Sequence, residues 1–141
     1  MTQSIHLTPA EARRLEAFKM RYRDEARRKL TERVAFYHPL TDGHFSSITI
    51  RDQKSRWGSC SSRGTLSFNY RLIFAPLAVM DYVVVHELCH LTYMNHSKEF
   101  WNKVASVMPD YKTHRQWLKD HGHELSPERH MEKLGIPLKL E

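Results

Sequence analysis

Residues 76–91 read PLAVMDYVVVHELCHL. Leu77, Val79, Met80, Val83, Val84, Val85 and Leu88 place apolar side chains on nearly every side of a helix, and a helix that is apolar all round belongs in the interior. The rest of the chain must supply elements that cover it. The same helix carries His86, Glu87 and His90. A polar group taken out of water without a hydrogen bond costs roughly 2–7 kcal/mol, and an unpaired charge more. Three such groups on a core helix imply a site that uses them.

His86 and His90 lie four residues apart. On a helix both imidazoles then share one face, with β-carbons about 5–6 Å apart. That spacing suits two nitrogen ligands at about 2.0–2.1 Å from a zinc ion. Glu87 follows the first histidine directly, where it reaches a water on the metal rather than the metal itself. The plain alternative is two core histidines bonded to backbone carbonyls with Glu87 exposed, and it fits a surface helix better than this one. A zinc enzyme needs a third protein ligand and keeps the fourth position for water. His96 follows His90 with five residues between. Residues 92–95 read as a helix end that folds the chain back, with Asn95 able to take a left-handed conformation, so His96 is the expected third ligand. Glu99, Asp110 and His114 are its more distant competitors. Cys89 sits about 100° round the helix from His90 and is expected in the core. Cys89, and Cys60 in a serine-rich turn, read as small inert side chains rather than ligands.

Upstream, Thr8, Pro9 and Glu11 form an N-cap, a first-turn proline and a capping-box partner. Leu15, Phe18, Tyr22, Ala26, Leu30, Val34 and Tyr37 then recur at spacings of three and four. The pattern predicts a long helix over 8–37, ended by His38-Pro39. Its other face is basic, since residues 9–33 hold nine Lys and Arg against five Asp and Glu. A solvated face with i,i+4 pairs is the preferred reading, ahead of a surface for polyanions. Residues 47–51 alternate as a half-buried strand. Residues 53–60 suggest a short irregular strand, residues 61–64 a hairpin turn with Gly64, and residues 65–70 a third strand. Helices over about 97–108 and 111–121 follow, the second ended by Gly122 as a C-cap. The expectation is an α+β fold: a long N-terminal helix, a small, mainly antiparallel three-stranded sheet, the buried histidine helix and C-terminal helices. One domain spanning residues 1–141 is expected, with a loosely packed tail over 123–141.

A chain of 141 residues can bury a core without disulfides, and it has two cysteines. It has no apolar run long enough for a membrane span, and MTQSIHLTPAEARR lacks an apolar signal core. A reduced cytoplasmic protein without a membrane partner is expected. The net charge of +6 permits contact with nucleotides or nucleic acid without requiring it. No glycine-rich phosphate loop or recognised DNA-binding motif accompanies it.

The run DYVVVHELCHLTYMNHSKEFW, with RWGSCSSRGTLSFNYRLIFAP just upstream, resembles the YgjP-like metallopeptidase-domain family. These are minimal zincins, related at longer range to SprT-like proteases. The resemblance covers residues 48–121. It implies a zincin-like fold, one zinc ion per chain with His86, His90 and His96 as ligands, and Glu87 as general base. It also implies a wall beside the metal built from residues 56–60 and the strand through Asn69. Arg56, Trp57, Asn69 and Tyr70 are accordingly the expected substrate-binding residues. Metzincins share the five-residue gap but place a glycine at its middle, where this chain has Tyr93, so a different bend is expected.

The activity so implied is zinc-dependent hydrolysis of a peptide or protein, with Glu87 taking the proton of a zinc-bound water. The substrate is expected to add a strand to a sheet edge, with residues 64–70 as that edge. Tyr93, Tyr111, His114 and Asn69 are candidates to hold the oxyanion beside the metal. Two other readings rank behind. One is a metal-dependent nucleoside triphosphate pyrophosphatase or phosphohydrolase, with Arg51, Arg56, Arg63 and Arg71 on the phosphates. The other is a nucleic-acid-associated, SprT-like protease. A nucleotide partner thus ranks behind a peptide, and nucleic acid behind both.

Overall fold

Thr8 and Glu11 close the expected capping box. The Thr8 amide donates to Glu11 Oε1 at 2.9 Å and the Glu11 amide to Thr8 Oγ1 at 3.2 Å. The helix they start, α1, runs Pro9–Tyr37. The computed structural model describes residues 6–53 and 55–137. Within them α1 is followed by β1 (Ser47–Arg51), β2 (Gly58–Cys60), β3 (Thr65–Asn69), α2 (Leu77–His90), α3 (Lys98–Val107), α4 (Tyr111–His121) and α5 (Pro127–Lys133). The fold is α+β, as expected, and α2 lies at its centre. Ala26, Leu30 and Val34 of α1, Leu66 and Phe68 of β3, and Phe100 and Val104 of α3 join Val84, Val85 and Leu88 of α2 in one core.

The sheet departs from expectation in its pairing. Its order is β1-β3-β2. β3 runs parallel to β1 and antiparallel to β2, so the sheet is mixed rather than mainly antiparallel. The hairpin at residues 61–64 forms as predicted, with Gly64 at φ 86°. The order places β3 in the centre, not at the edge, and leaves β1 and β2 as the two edge strands, β2 being the one beside the histidine helix. Asn69 fixes this arrangement. Its Nδ2 donates to the carbonyls of Gln53 and Arg56, and its Oδ1 accepts from the Arg71 amide at 3.0 Å. The segment between β1 and β2 is thereby tied to the end of β3.

The tail also differs from expectation through residue 137. A 3-10 turn, Gly122–Glu124, leads into α5, and Leu125 and Met131 are buried. Residues 138–141 lie outside the described part. Gly122 has helical φ −56°, so it does not act through left-handed backbone. A β-carbon there would stand 2.9 Å from Trp57 Cζ2, and the glycine admits that ring.

Asp81 is a further ionisable residue of α2, 5% exposed. Arg33 of α1 holds it bidentately at 2.7 and 2.8 Å, and Tyr37 Oη donates to it at 3.1 Å. Removing one partner of a buried pair strands the other, at a cost of about 3–5 kcal/mol, whereas an apolar replacement of both is often neutral. Asp81→Ala is expected to lower stability by about that amount in urea unfolding. Arg33→Met with Asp81→Leu is expected to recover most of it.

His130 of α5 packs on Phe18, Tyr22 and Phe74, with centroids at 6.1, 5.1 and 4.7 Å. Burial first, then Lys133, lowers its pKa, and Glu25 opposes them weakly. The unfolded chain therefore takes up this proton more readily, and stability is lost as pH falls below about 6.5, the ordinary imidazole value. His130→Leu should flatten the fall in the urea midpoint between about pH 7 and 5.

Candidate metal centre

α2 ends at His90, and the chain reverses before α3. The Tyr93 amide donates to the Cys89 carbonyl at 3.0 Å. His90 Nδ1 lies 2.9 Å from the Tyr93 carbonyl. A carbonyl only accepts, so Nδ1 carries the proton and Nε2 presents a bare lone pair. The reversal uses no left-handed residue, since no described non-glycine has positive φ. Asn95 thus does not adopt the conformation expected of it. Ser97 caps α3, its hydroxyl accepting from the Phe100 amide at 3.2 Å, and His96 comes just before that cap.

One nitrogen from each of His86, His90 and His96 lies within 4.8 Å of the others. His90 Nε2 and His96 Nε2 are 3.2 Å apart. Two nitrogens on a tetrahedral zinc at about 2.0–2.1 Å stand about 3.3 Å from each other. His90 and His96 thus stand at the separation a zinc ion requires, and with His86 within 4.8 Å of them the three imidazoles make a donor set that would suit one. Partial desolvation among the rings, then His86 and His90, holds the His96 pKa below the ordinary imidazole value, which favours the neutral form a metal needs. Phe100 stacks on His90 at 4.3 Å and 18°, and Trp101 on His96 at 5.7 Å and 22°. The other candidates for third ligand stay outside the cluster: Glu99 is not part of it, and His114 Nε2 and Asp110 pair with each other at 3.0 Å.

Glu87 sits beside this cluster, 4% exposed, with Oε2 at 3.1 Å from His86 Nδ1. Gly58 makes room for it. A β-carbon at Gly58 would stand 2.9 Å from Glu87 Oε2 and 3.0 Å from both Glu87 Cγ and Val83 Cγ1. The histidines and Glu87 line a cavity of about 540 Å³, within the usual size of a ligand site. Residues 56–60 form one wall, and Arg115, Leu118 and Lys119 of α4 also line it.

Arg56 and Trp57 reach this cavity, whereas Asn69 and Tyr70 do not line it. Asn69 spends its amide on backbone groups, and Tyr70 is wholly buried. None of Tyr93, Tyr111, His114 and Asn69 lines the cavity. Tyr82 does, and its hydroxyl has no hydrogen-bond partner among the described residues. Burial raises that phenol to about 12. Tyr82 stands four residues before His86, a spacing that was available in the sequence as a Tyr82, His86, His90 stripe. Of the arginines considered for phosphate, only Arg56 lines the cavity, and Arg71 pairs with Asp52 at 3.5 Å. Cys60 lines it too, its thiol pushed up to about 11 by burial and then by Glu87. Cys89 is in the core, as expected.

The free edge of β2 opens beside this cluster. The Trp57 carbonyl accepts from the Asn69 amide at 2.9 Å, and the Ser61 amide donates to the Thr65 carbonyl at 3.0 Å. Residues 57, 59 and 61 therefore turn their main-chain groups to β3, and the alternate residues Gly58 and Cys60 turn theirs outward.

The family described as "YgjP-like, metallopeptidase domain" matches residues 3–121. No curated protein matches the chain significantly. Among solved structures, the fold is similar to the crystal structure of the metallopeptidase zymogen of Pyrococcus abyssi abylysin. The TM-score is 0.57 at 22% sequence identity, over 75% of this chain and 95% of that one. That likeness is one of fold.

The Gly58 contact can be tested by stability alone. Gly58→Ala should cost about 1–3 kcal/mol in urea unfolding through overpacking. In a Glu87→Ala background the cost should be clearly smaller, with Val83 the remaining obstacle. Equal costs in both backgrounds would mean that Glu87 does not depend on Gly58 for its room.

Proposed function

The chain belongs to the YgjP-like metallopeptidase-domain family, and on that premise we propose that it is a zinc peptidase in which His86, His90 and His96 hold one zinc ion and Glu87 is the general base. The observation that carries this reading is the convergence of three imidazole nitrogens beside a buried carboxylate in an open cavity. Zinc, when bound, supplies a Lewis acid that lowers the pKa of a water molecule toward neutrality and polarises a carbonyl oxygen.

The chain's own groups do the rest. Glu87 takes the proton of the attacking water and returns it to the departing amine nitrogen. Its place beside His86 and against Gly58 supports that role. The substrate main chain pairs with the outward amides and carbonyls of Gly58 and Cys60, adding a strand to β2. Trp57 and Leu118, which line the cavity, shield the scissile bond from bulk water. Tyr82 donates its free hydroxyl to the oxygen that gains charge as the carbonyl becomes tetrahedral.

Elemental analysis of the purified protein should give about one zinc per chain, and His96→Ala should lose most of it. Glu87→Gln should keep the metal and the urea midpoint while peptide hydrolysis falls by about 10²–10⁴-fold. Full zinc occupancy in His96→Ala would remove His96 from the ligands. Activity of Glu87→Gln within about tenfold of wild type would remove Glu87 as the base.

A further inference from the structure

The cavity has a charge pattern that the hydrolytic groups do not require. Arg56, Arg115 and Lys119 line it, and the only carboxylate among its lining residues is Glu87. Glu87 lies at the base of the cavity, its side chain 5% exposed, whereas the three cations are exposed. Arg56 comes just before β2, and Arg115 and Lys119 stand four apart on α4, which puts them on one face of that helix. None of the three has an acidic partner among the described residues. What distinguishes them from the many unpaired cations elsewhere on the surface is that they converge on one cavity beside the histidines.

Arg115 is also held in place. Its guanidinium carbon lies 4.9 Å from the centroid of the Trp101 ring, and Trp101 stacks on His96. Stacking on a ring face leaves the in-plane N–H donors of a guanidinium available. A carboxylate is the group whose two oxygens match that fork. Arg115 is thus pre-set on the ring that stacks on His96, with its donors unused.

We propose that this cavity selects peptides carrying a carboxylate close to the scissile bond, with Arg115, Lys119 and Arg56 as the specificity-determining residues. This rests on the peptidase reading above. The carboxylate comes either from an Asp or Glu side chain or from the peptide's free C-terminus. Because the cations are exposed, their effect is screened by salt, with a Debye length of about 8 Å at physiological ionic strength.

The test uses the zinc-loaded full chain and one peptide sequence in four forms: neutral with both ends blocked, blocked with an internal Glu, blocked with an internal Lys, and neutral with a free C-terminus. The kcat/KM ratio of the Glu form to the Lys form should reach about tenfold at roughly 50 mM salt and shrink at about 0.5 M. A higher rate for the free C-terminus than for the blocked neutral form would assign the carboxylate to the terminus, and a higher rate for the internal Glu form would assign it to a side chain. Arg115→Gln with Lys119→Gln should bring the Glu-to-Lys ratio toward one, and Arg115→Glu with Lys119→Glu should invert it. Binding of the labelled peptides to Glu87→Gln protein, read by fluorescence anisotropy, should follow the same order without turnover. Cleavage of all four forms at equal rates, or fastest cleavage of the Lys form, would overturn the selectivity and leave the peptidase reading standing. Hydrolysis of a nucleoside triphosphate with no cleavage of any peptide would overturn both.

Discussion

Helix α2 is buried from Val79 onward, His86 being half-buried, yet carries Asp81, His86, Glu87 and His90. Each of these groups loses water on folding and must recover an interaction; His86 and Glu87 meet each other on α2, and the others draw on neighbouring elements. Much of the architecture follows from that requirement. α1 supplies Arg33 and Tyr37 to Asp81, so the longest helix is tied to the central one by a charge pair as well as by Leu30 and Val34. The reversal after α2 supplies the Tyr93 carbonyl to His90 and then His96 itself. β2 supplies no side chain at Gly58, and that leaves Glu87 its place.

The rings are oriented by packing as much as by hydrogen bonds. Tyr111 stacks on Trp101 at 5.2 Å and 19°, Trp101 on His96, and Phe100 on His90. Offset aromatic pairs are worth about 0.5–1.5 kcal/mol each beyond the area they bury. These contacts come largely from α3, which therefore fixes two of the three imidazoles from outside α2. Imidazoles braced in this way would spend little of their affinity for the proposed zinc on ordering side chains. Arg115 rests on the same Trp101 ring, so the brace of the third histidine also positions a cation of the cavity wall.

What the sequence disclosed, and what it hid, follows the range of the interactions involved. The boundaries of α1 and β1 and the approach of His96 to His90 were legible because caps, alternation and a five-residue gap are local. Asp81 and Tyr82 were present in the quoted helix but went unused. A polar residue on an apolar helix and a tyrosine one turn before a histidine were the signals that could have found them. The central place of β3 was hidden, because its parallel partner is reached across residues 52–64 and is secured by the Asn69 side chain rather than by a turn. The packing of α5 was masked by its flanking prolines and glycine, since Met131 finds its cover only in tertiary contact with earlier parts of the chain. Charge along the chain draws attention to α1, where Arg21, Lys29 and Arg33 have acidic partners and the remaining cations form the solvated face expected of it. The sequence does not show that Arg56, Arg115 and Lys119 meet at one cavity, because only the docking of α4 against residues 56–60 brings them together.

Two glycines explain how so short a chain encloses that cavity. At Gly58 the backbone of β2 comes against Glu87 and Val83 of α2, and at Gly122 the end of α4 comes against the ring of Trp57. A side chain at either place would have to push a wall outward, because the atoms it meets at 2.9–3.0 Å belong to groups already packed. Trp57 stands between these two approaches, next to Gly58 in the chain and against Gly122 in space. It thus sets the distance from the edge of β2 to α4, which carries Arg115 and Lys119. The space between edge strand and cationic helix is then a property of one tryptophan wedged against two glycines, and a larger residue at either glycine would change the width of the cavity beside the histidines.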